Sequence, residues 1–167
     1  MAKSQPIIQI QNLGFKTLES NLQKIILHAV VEPAQEQVRR NADDIAFIAK
    51  ELAPEKTGSL ASAIEPAPNI GRKGYKVEAS VQIRPSAYNQ EEKILVRKYA
   101  YDVHENVTPV GHKGLGEKSQ TKNARIGSDW DGRGVGGGYL QRAIEYVNEN
   151  IAEDISNAIR NALAKYN

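Results

Sequence analysis

The sequence predicts an α+β fold in which a long kinked N-terminal helix and a long C-terminal helix pack on a small antiparallel sheet, with a large loop insertion. Apolar residues recur every three or four positions across 18–52 and again across 140–163, which is the period of an amphipathic helix. Residues 75–83 alternate between apolar and polar, which is the period of a half-buried strand. A chain of 167 residues suits one structural domain, 1–167.

The N-terminal region is predicted to open with a short strand and to continue as a long helix. Ile8 and Ile10 alternate with Gln9 and Gln11, which favours a short opening strand. Pro33 interrupts the helical stripe without shifting its phase, so a kink is expected near residue 32, because proline lacks an N–H and clashes with the preceding turn. The helix is expected to end at Ala53-Pro54, since a residue before proline disfavours helical dihedral angles.

Two antiparallel strands are predicted in the middle of the chain. The first is the alternating segment that ends at Ile83, and the second is Ile94–Val103. An exposed sheet edge offers unpaired backbone groups to another chain. The edge of the second strand is therefore a candidate contact with a neighbouring subunit.

Residues 105–138 are predicted to form an extended loop insertion, because they are rich in Gly, Lys, Asn, Ser and Asp and lack apolar periodicity. An insertion of about 30 residues in a compact domain is generally functional or disordered. The C-terminal helix is expected to begin near Gly138, and its apolar stripe continues to Leu163.

The loop insertion carries the candidate inter-subunit contacts. It is either a solvated loop or a segment that becomes ordered against a neighbouring subunit or passing DNA. The single tryptophan of the chain either anchors a partner surface or fastens the loop to its own domain. The candidate residues are Trp130, Lys113, Lys118, Lys122, Arg125 and Arg133.

The glycine run before the C-terminal helix does not predict a nucleotide site. Gly132, Gly134 and Gly137 match the spacing G-x-G-x-x-G. A dinucleotide site also needs a strand directly before the glycines and an acidic residue about 20 positions later on a second strand, and both are missing. We therefore interpret the glycine run as a flexible hinge.

No catalytic, metal or cofactor site is predicted from the titratable residues. The chain has no cysteine, and its formal net charge of +2 does not by itself indicate a nucleic-acid partner. A metal set of His104, His112 and either Asp102 or Glu105 is the alternative to ordinary surface imidazoles. The chain is expected to be soluble, since no apolar run approaches the length of a membrane span or a signal-peptide core.

Three short blocks of residues occur one after another along the sequence. They are Ala53-Pro54 followed by Thr57-Gly58 and Leu60, then Tyr99-Ala100 followed by Val103, then Tyr139-Leu140 followed by Ala143. After a short strand, a glycine turn and a long helix, this order resembles the minor structural proteins of tailed phages that complete the tail or neck and join it to the head. The chain departs from that family at Ala63-Ile64, where the family has Ser-Ile, and directly after Val103.

The resemblance implies a non-enzymatic virion protein that forms a homo-oligomeric, typically hexameric ring. The ring would lie at the neck between the head connector or portal-side ring and the tail tube, with genomic DNA passing through it and no membrane involved. The protein would occupy the host cytoplasm during assembly. A tail terminator that caps the tube is the alternative within the virion. A nucleic-acid-binding protein using the basic loop and a small enzyme using His104 and His112 are the alternatives outside it.

Within the first block, Thr57-Gly58 has a local structural role available. Glycine adopts backbone conformations that other residues resist, and a threonine hydroxyl can cap the helix that follows.

The candidate surfaces for ring contacts are the loop insertion 105–138 and the edge of Ile94–Val103.

Overall fold

The computed structural model describes residues 7–55, 57–73, 76–106, 116–126 and 133–166. It is mostly helical with short antiparallel strand pairs, which confirms the predicted α+β class. The helices are α1 (Ile7–Ile26), α2 (Glu32–Leu52), α3 (Ser59–Ala63), α4 (Val96–Asn106), α5 (Glu117–Ile126), α6 (Tyr139–Asn148) and α7 (Ile151–Leu163). The strands are β1 (Ile64–Pro66), β2 (Gly71–Lys73), β3 (Lys76–Glu78), β4 (Val81–Ile83), β5 (Tyr88–Asn89) and β6 (Ile94–Leu95).

A single helical path runs from Ile7 to Leu52. α1 passes into a π-helical segment, Leu27–Val31, and then into α2. This segment lies directly before Pro33, where a regular helix would place the proline ring against the carbonyl four residues earlier. The predicted irregularity is therefore present as wider turns, and the helix continues through it. The predicted opening strand is wrong, because a helix satisfies the backbone groups of residues 7–10 locally while a strand would need a partner.

The strands form three separate antiparallel pairs. β1 pairs with β4 in the register Ile64↔Ile83, β2 pairs with β3, and β5 pairs with β6. The alternating segment 75–83, predicted as one strand, is divided at Ala79–Ser80 into β3 and β4, which pair with different partners. The predicted alternation in exposure is present from Lys76 to Ser80 and absent in β4, whose three residues are all half-buried, and each half contributes only three residues to a ladder.

The predicted strand Ile94–Val103 is mostly helical. Only Ile94–Leu95 is extended, and α4 begins at Val96. Val96 and Ala100 are buried, and Tyr99 and Val103 pack against the same core, so the apolar positions recur at three and four. The period of the segment is that of a helix, and the strand assignment was wrong for that reason. The sheet edge proposed there as a subunit contact is reduced to the two residues of β6.

The predicted loop and the predicted C-terminal helix both differ from the structure. Residues 105–138 contain the helix α5, although little of its surface is apolar. The C-terminal helix is divided at Glu149–Asn150 into α6 and α7, and Asn150 has a backbone φ of −113°, outside the regular helical range. The apolar stripe keeps its helical spacing across the break.

The core forms around the second half of α2. α6 and α7 pack along α2, and β1 and α3 close its C-terminal end. No α7 side chain is fully buried, so this helix covers the side of the domain. The buried members of the core are Ala46, Ile48, Ala49, Leu52, Ala53, Leu60, Ala63, Ile64, Val96, Ala100, Tyr139 and Ala143.

Candidate functional site

The three sequence blocks of the resemblance meet in this one core. The small residues Ala53, Ala100 and Ala143, one from each block, are buried in it. Tyr139 is the largest fully buried side chain, and its hydroxyl donates to the carbonyl of Ala100 at 3.4 Å. Leu60 is also buried, and the remaining members Tyr99, Val103 and Leu140 pack around them. Ala53 and Ala143, 90 positions apart in the sequence, thus belong to one core, and their role is packing.

The turn between α2 and α3 depends on Gly58. This residue has φ +83° and serves as the N-cap of α3. A side chain placed on Gly58 would lie 3.1 Å from a carboxylate oxygen of Glu55. The Thr57 hydroxyl accepts a hydrogen bond from the Ser59 N–H at 3.3 Å and donates to the Ser59 hydroxyl at 2.8 Å. Thr57 thus accepts from the first N–H of α3, but the N-cap position itself is Gly58, which makes no side-chain cap hydrogen bond.

We expect Gly58→Ala to lower the free energy of unfolding by about 1–2 kcal/mol, because an L-residue resists this left-handed conformation. Urea unfolding followed by circular dichroism measures the loss. Gly116→Ala is the matched control, since a side chain there would meet nothing within 4 Å. Equal stability of the two variants would contradict the strain assigned to Gly58.

α5 is held against the end of α2 by a buried lysine. Lys122 is 7% exposed, and its ammonium donates to the main-chain carbonyls of Lys50 and, at 3.2 Å, Ala53. It also lies 3.8 Å from the carboxylate of Glu55. The last carbonyls of a helix have no partner within the helix, so Lys122 caps α2 from a distant part of the chain.

Two further contacts of α5 reinforce this junction. The Ser119 hydroxyl accepts from the Glu55 N–H at 2.6 Å and donates to the Glu55 carbonyl at 2.9 Å. The Arg125 guanidinium lies 2.5 Å from the Glu51 carboxylate. α5 therefore belongs to the domain, although it lies in the predicted loop insertion.

The predicted inter-subunit contacts fall into three groups. Lys122 is not presented to a neighbour, because it is buried against its own chain. Lys118, Arg125 and Arg133 are exposed, the last two beside Glu51 and Glu145. Trp130 and Lys113 lie outside the described residues.

A groove of about 530 Å³ runs along α5 and has mixed charge. Its cations are offset by two carboxylates, so it is not a continuous basic surface. It is lined by Glu55, Glu117, Lys118, Thr121, Lys122 and Arg125.

Burial lowers the pKa of Lys122 below its usual 10.5, and the nearby Glu55 carboxylate offsets this only in part. The folded chain consequently binds fewer protons than the unfolded chain between the lowered pKa and 10.5. The contribution of Lys122 to the free energy of unfolding therefore rises with pH through that interval.

We expect Lys122→Met to flatten this rise in urea unfolding measured from neutral pH upward. Lys118→Met, on the exposed side of α5, is the control. If the free energy of unfolding rose equally with pH in both variants, the rise would not come from Lys122.

The glycine-rich segment 133–138 is buried over Gly134–Gly137, so the expectation of a flexible hinge is wrong. The Val135 N–H donates to the Asn123 side-chain oxygen at 2.8 Å, and the Gly136 N–H donates to the Leu52 carbonyl at 2.9 Å. Arg142, itself buried, donates to the Gly134 carbonyl at 2.6 Å. The segment joins α5 and α6 to the end of α2.

The histidines of the described residues have ordinary structural partners. His104 Nδ1 lies 3.0 Å from a Glu105 oxygen, and its ring meets the Tyr139 ring edge-on at 5.1 Å. Burial raises the pKa of Tyr139 to about 12, so this hydroxyl stays protonated near neutral pH. Among the described residues no group of three or more His, Asp and Glu side chains is placed to hold a metal ion. His112, a member of the alternative metal set, lies outside those residues.

A row of apolar side chains on α1 lies outside the core. We call it the α1 stripe: Leu18, Leu22, Ile25 and Ile26. Leu18 is 54% exposed and Leu22 is 50% exposed. Within the described part of the chain, α1 makes extensive contact only with the π-helical segment into which it runs. The stripe therefore projects from the domain.

A second surface with exposed aromatic side chains lies between α2 and the junction of α6 with α7. This α2–α6–α7 groove has a volume of about 340 Å³. Phe47 at its mouth is 56% exposed, and Tyr146 opposite is also exposed. The lining residues are Asp44, Phe47, Ile48, Tyr146, Val147, Asn150 and Asp154. Sequence reasoning identified neither surface, although the apolar period across 18–26 marks the first.

Comparison with known proteins adds no relative. No protein-family model, no curated protein and no solved structure matches the chain. No helix in the described ranges has the length and apolar character that crossing a membrane requires.

Proposed function

We propose that this chain is a structural subunit of a tailed-phage virion that forms a homo-oligomeric ring at the neck, completing the tail or joining it to the head. The observation that carries the proposal is the α1 stripe, whose large apolar side chains lie in a row outside the core. Contiguous apolar surface of this kind favours burial against another chain. Most motif residues of the resemblance, among them Ala53, Leu60 and Ala100, are meanwhile part of the core, which suits a protein that works through its surfaces.

The partners follow from the position of such a ring. It would contact further copies of itself, the head connector or portal-side ring above, and the tail tube or its terminator below, with DNA passing through the centre. A stable contact between subunits should bury more than about 1,000 Å². Lys118, Arg125 and Arg133 remain candidates for the contact with an adjoining ring, together with Trp130 and Lys113.

The test is disruption of the gene in the genome that encodes this chain, followed by electron microscopy of the lysate. We expect DNA-filled heads and separate tails, because the ring that joins them is missing, and we expect complementation in trans to restore infectious particles. Tails of uncontrolled length would instead favour the terminator role. Infectious, complete virions formed without the chain would overturn the proposal.

A further inference from the structure

We propose that the α1 stripe of one copy docks in the α2–α6–α7 groove of the next copy, so that a helix-in-groove contact joins the subunits. This inference rests on the proposed ring and names the surfaces that build it. The stripe is apolar, and the groove combines the apolar side chains of Phe47, Ile48, Tyr146 and Val147 with acidic groups at its border.

The stripe cannot reach the groove of its own copy. Leu22 and Phe47 lie on one helical path, 25 positions apart in the printed sequence. At 1.5 Å per residue the two surfaces are roughly 35 Å apart along that path. The continuous helix prevents α1 from folding back, so an α1 stripe that enters the groove comes from a second molecule.

The chemistry of the two surfaces matches. Leu18, Leu22 and Ile25 are four and three positions apart, so they project from one side of α1 over about two turns. Aromatic side chains at the mouth of the groove, Phe47 and Tyr146, offer rings against which such aliphatic anchors pack.

The net charges of the two surfaces also have opposite sign. Lys16, Glu19 and Lys24 give residues 16–26 a net positive charge, whereas Asp44 and Asp154 make the groove negative. The lysines lie on the back of α1, so this difference acts on the encounter of two copies rather than through direct ion pairs.

The arrangement explains why copies would form a ring. Stripe and groove are different surfaces at different places on the molecule, so the contact is heterologous and head-to-tail. A heterologous contact repeats from copy to copy and closes into a ring when the rotation allows it. Pairing of two α1 helices would bury the stripe but would leave the groove exposed.

The test compares two double variants by native mass spectrometry and sedimentation velocity. The stripe variant is Leu18→Glu with Leu22→Glu, and the groove variant is Phe47→Glu with Tyr146→Glu. All four side chains are exposed, and the circular dichroism spectrum of each variant is compared with that of the wild type first, so that a loss of assembly is assigned only to a folded chain. Ser20→Glu with Gln23→Glu, on the back of α1, and Ala152→Glu, exposed on α7, are the matched controls.

We expect the wild type and the controls to assemble, and each double variant to weaken self-association about 100-fold, since charges replace central apolar anchors. An equimolar mixture of the two double variants should give dimers and nothing larger, because each pair keeps one intact stripe and one intact groove. The chain has no cysteine, so Leu22→Cys and Phe47→Cys chains, when mixed and oxidised, should form a cross-linked heterodimer that neither forms alone.

Three results would overturn the inference: a groove variant that assembles like the wild type, a mixture that stays monomeric, or a wild type that is monomeric at its highest soluble concentration. None of these decides whether the chain occupies the neck. That question is answered by the gene disruption, so the two proposals fail separately.

Discussion

Gly134→Ala is expected to lower the free energy of unfolding by about 2–5 kcal/mol, since backbone strain adds about 1–2 kcal/mol and a lost buried hydrogen bond about 1–3 kcal/mol. Gly134 has φ +67°, and a side chain on it would lie 1.9 Å from the Asn123 side-chain oxygen. Asn123 would have to move, and its side-chain oxygen would lose the hydrogen bond that it now accepts from the Val135 N–H. The buried junction between α5 and α6 would lose its shape.

Urea unfolding of Gly134→Ala beside Gly116→Ala separates this effect from a general cost of replacing glycine, because Gly116 has open space around it. A double-mutant cycle with Asn123→Ala then tests the cause. If the clash with Asn123 dominates, the two substitutions together should cost less than the sum of each alone. Additive losses would assign the effect to the backbone conformation, and wild-type stability of Gly134→Ala would contradict the packing of this segment.

Tyr139→Ala is expected to cost about 3–5 kcal/mol, the usual range for removing a large buried aromatic side chain. Tyr139 is fully buried where the three sequence blocks meet, and its ring also contacts His104. Its loss would leave a cavity between α4 and α6. For a chain of this length, the midpoint temperature of thermal unfolding should fall by about 6–20 °C.

Tyr139→Phe is the control because it keeps the ring and removes only the hydroxyl. The hydrogen bond from that hydroxyl to the Ala100 carbonyl is long, at 3.4 Å, so we expect a loss of about 1 kcal/mol or less. If Phe were as damaging as Ala, the hydroxyl rather than the ring would hold the three blocks together. Thermal melts of the three proteins at one pH distinguish these cases.

The helical period was informative where the stripe was long. It predicted α2 and the apolar face of the C-terminal segment, and the phase across Pro33 predicted that the helix continues. Shorter apolar runs led to wrong secondary-structure predictions. Residues 94–103, predicted as a strand, fit a helix with Val96, Tyr99, Ala100 and Val103 on one face, and only Ile94–Leu95 is extended.

The site features that were missed depend on contacts across long sequence distances. Lys122 resembles any lysine of a polar segment until its ammonium is placed on the carbonyls at the end of α2. Gly134 resembles a hinge until Asn123 occupies the space beside it. Composition records neither relation, because both partners lie in other elements.

The sequence by itself determined the α+β class, the faces of the long helices and the three blocks that resemble a phage protein family. Those features follow from local periods and local spacing, which the chain carries wherever it folds. Tertiary structure alone decided that the three blocks share one core, that α5 caps α2, and that the α1 stripe lies outside the domain while a groove opens elsewhere. Burial is a property of what packs against a surface, so no local pattern could reveal which apolar faces the chain leaves exposed.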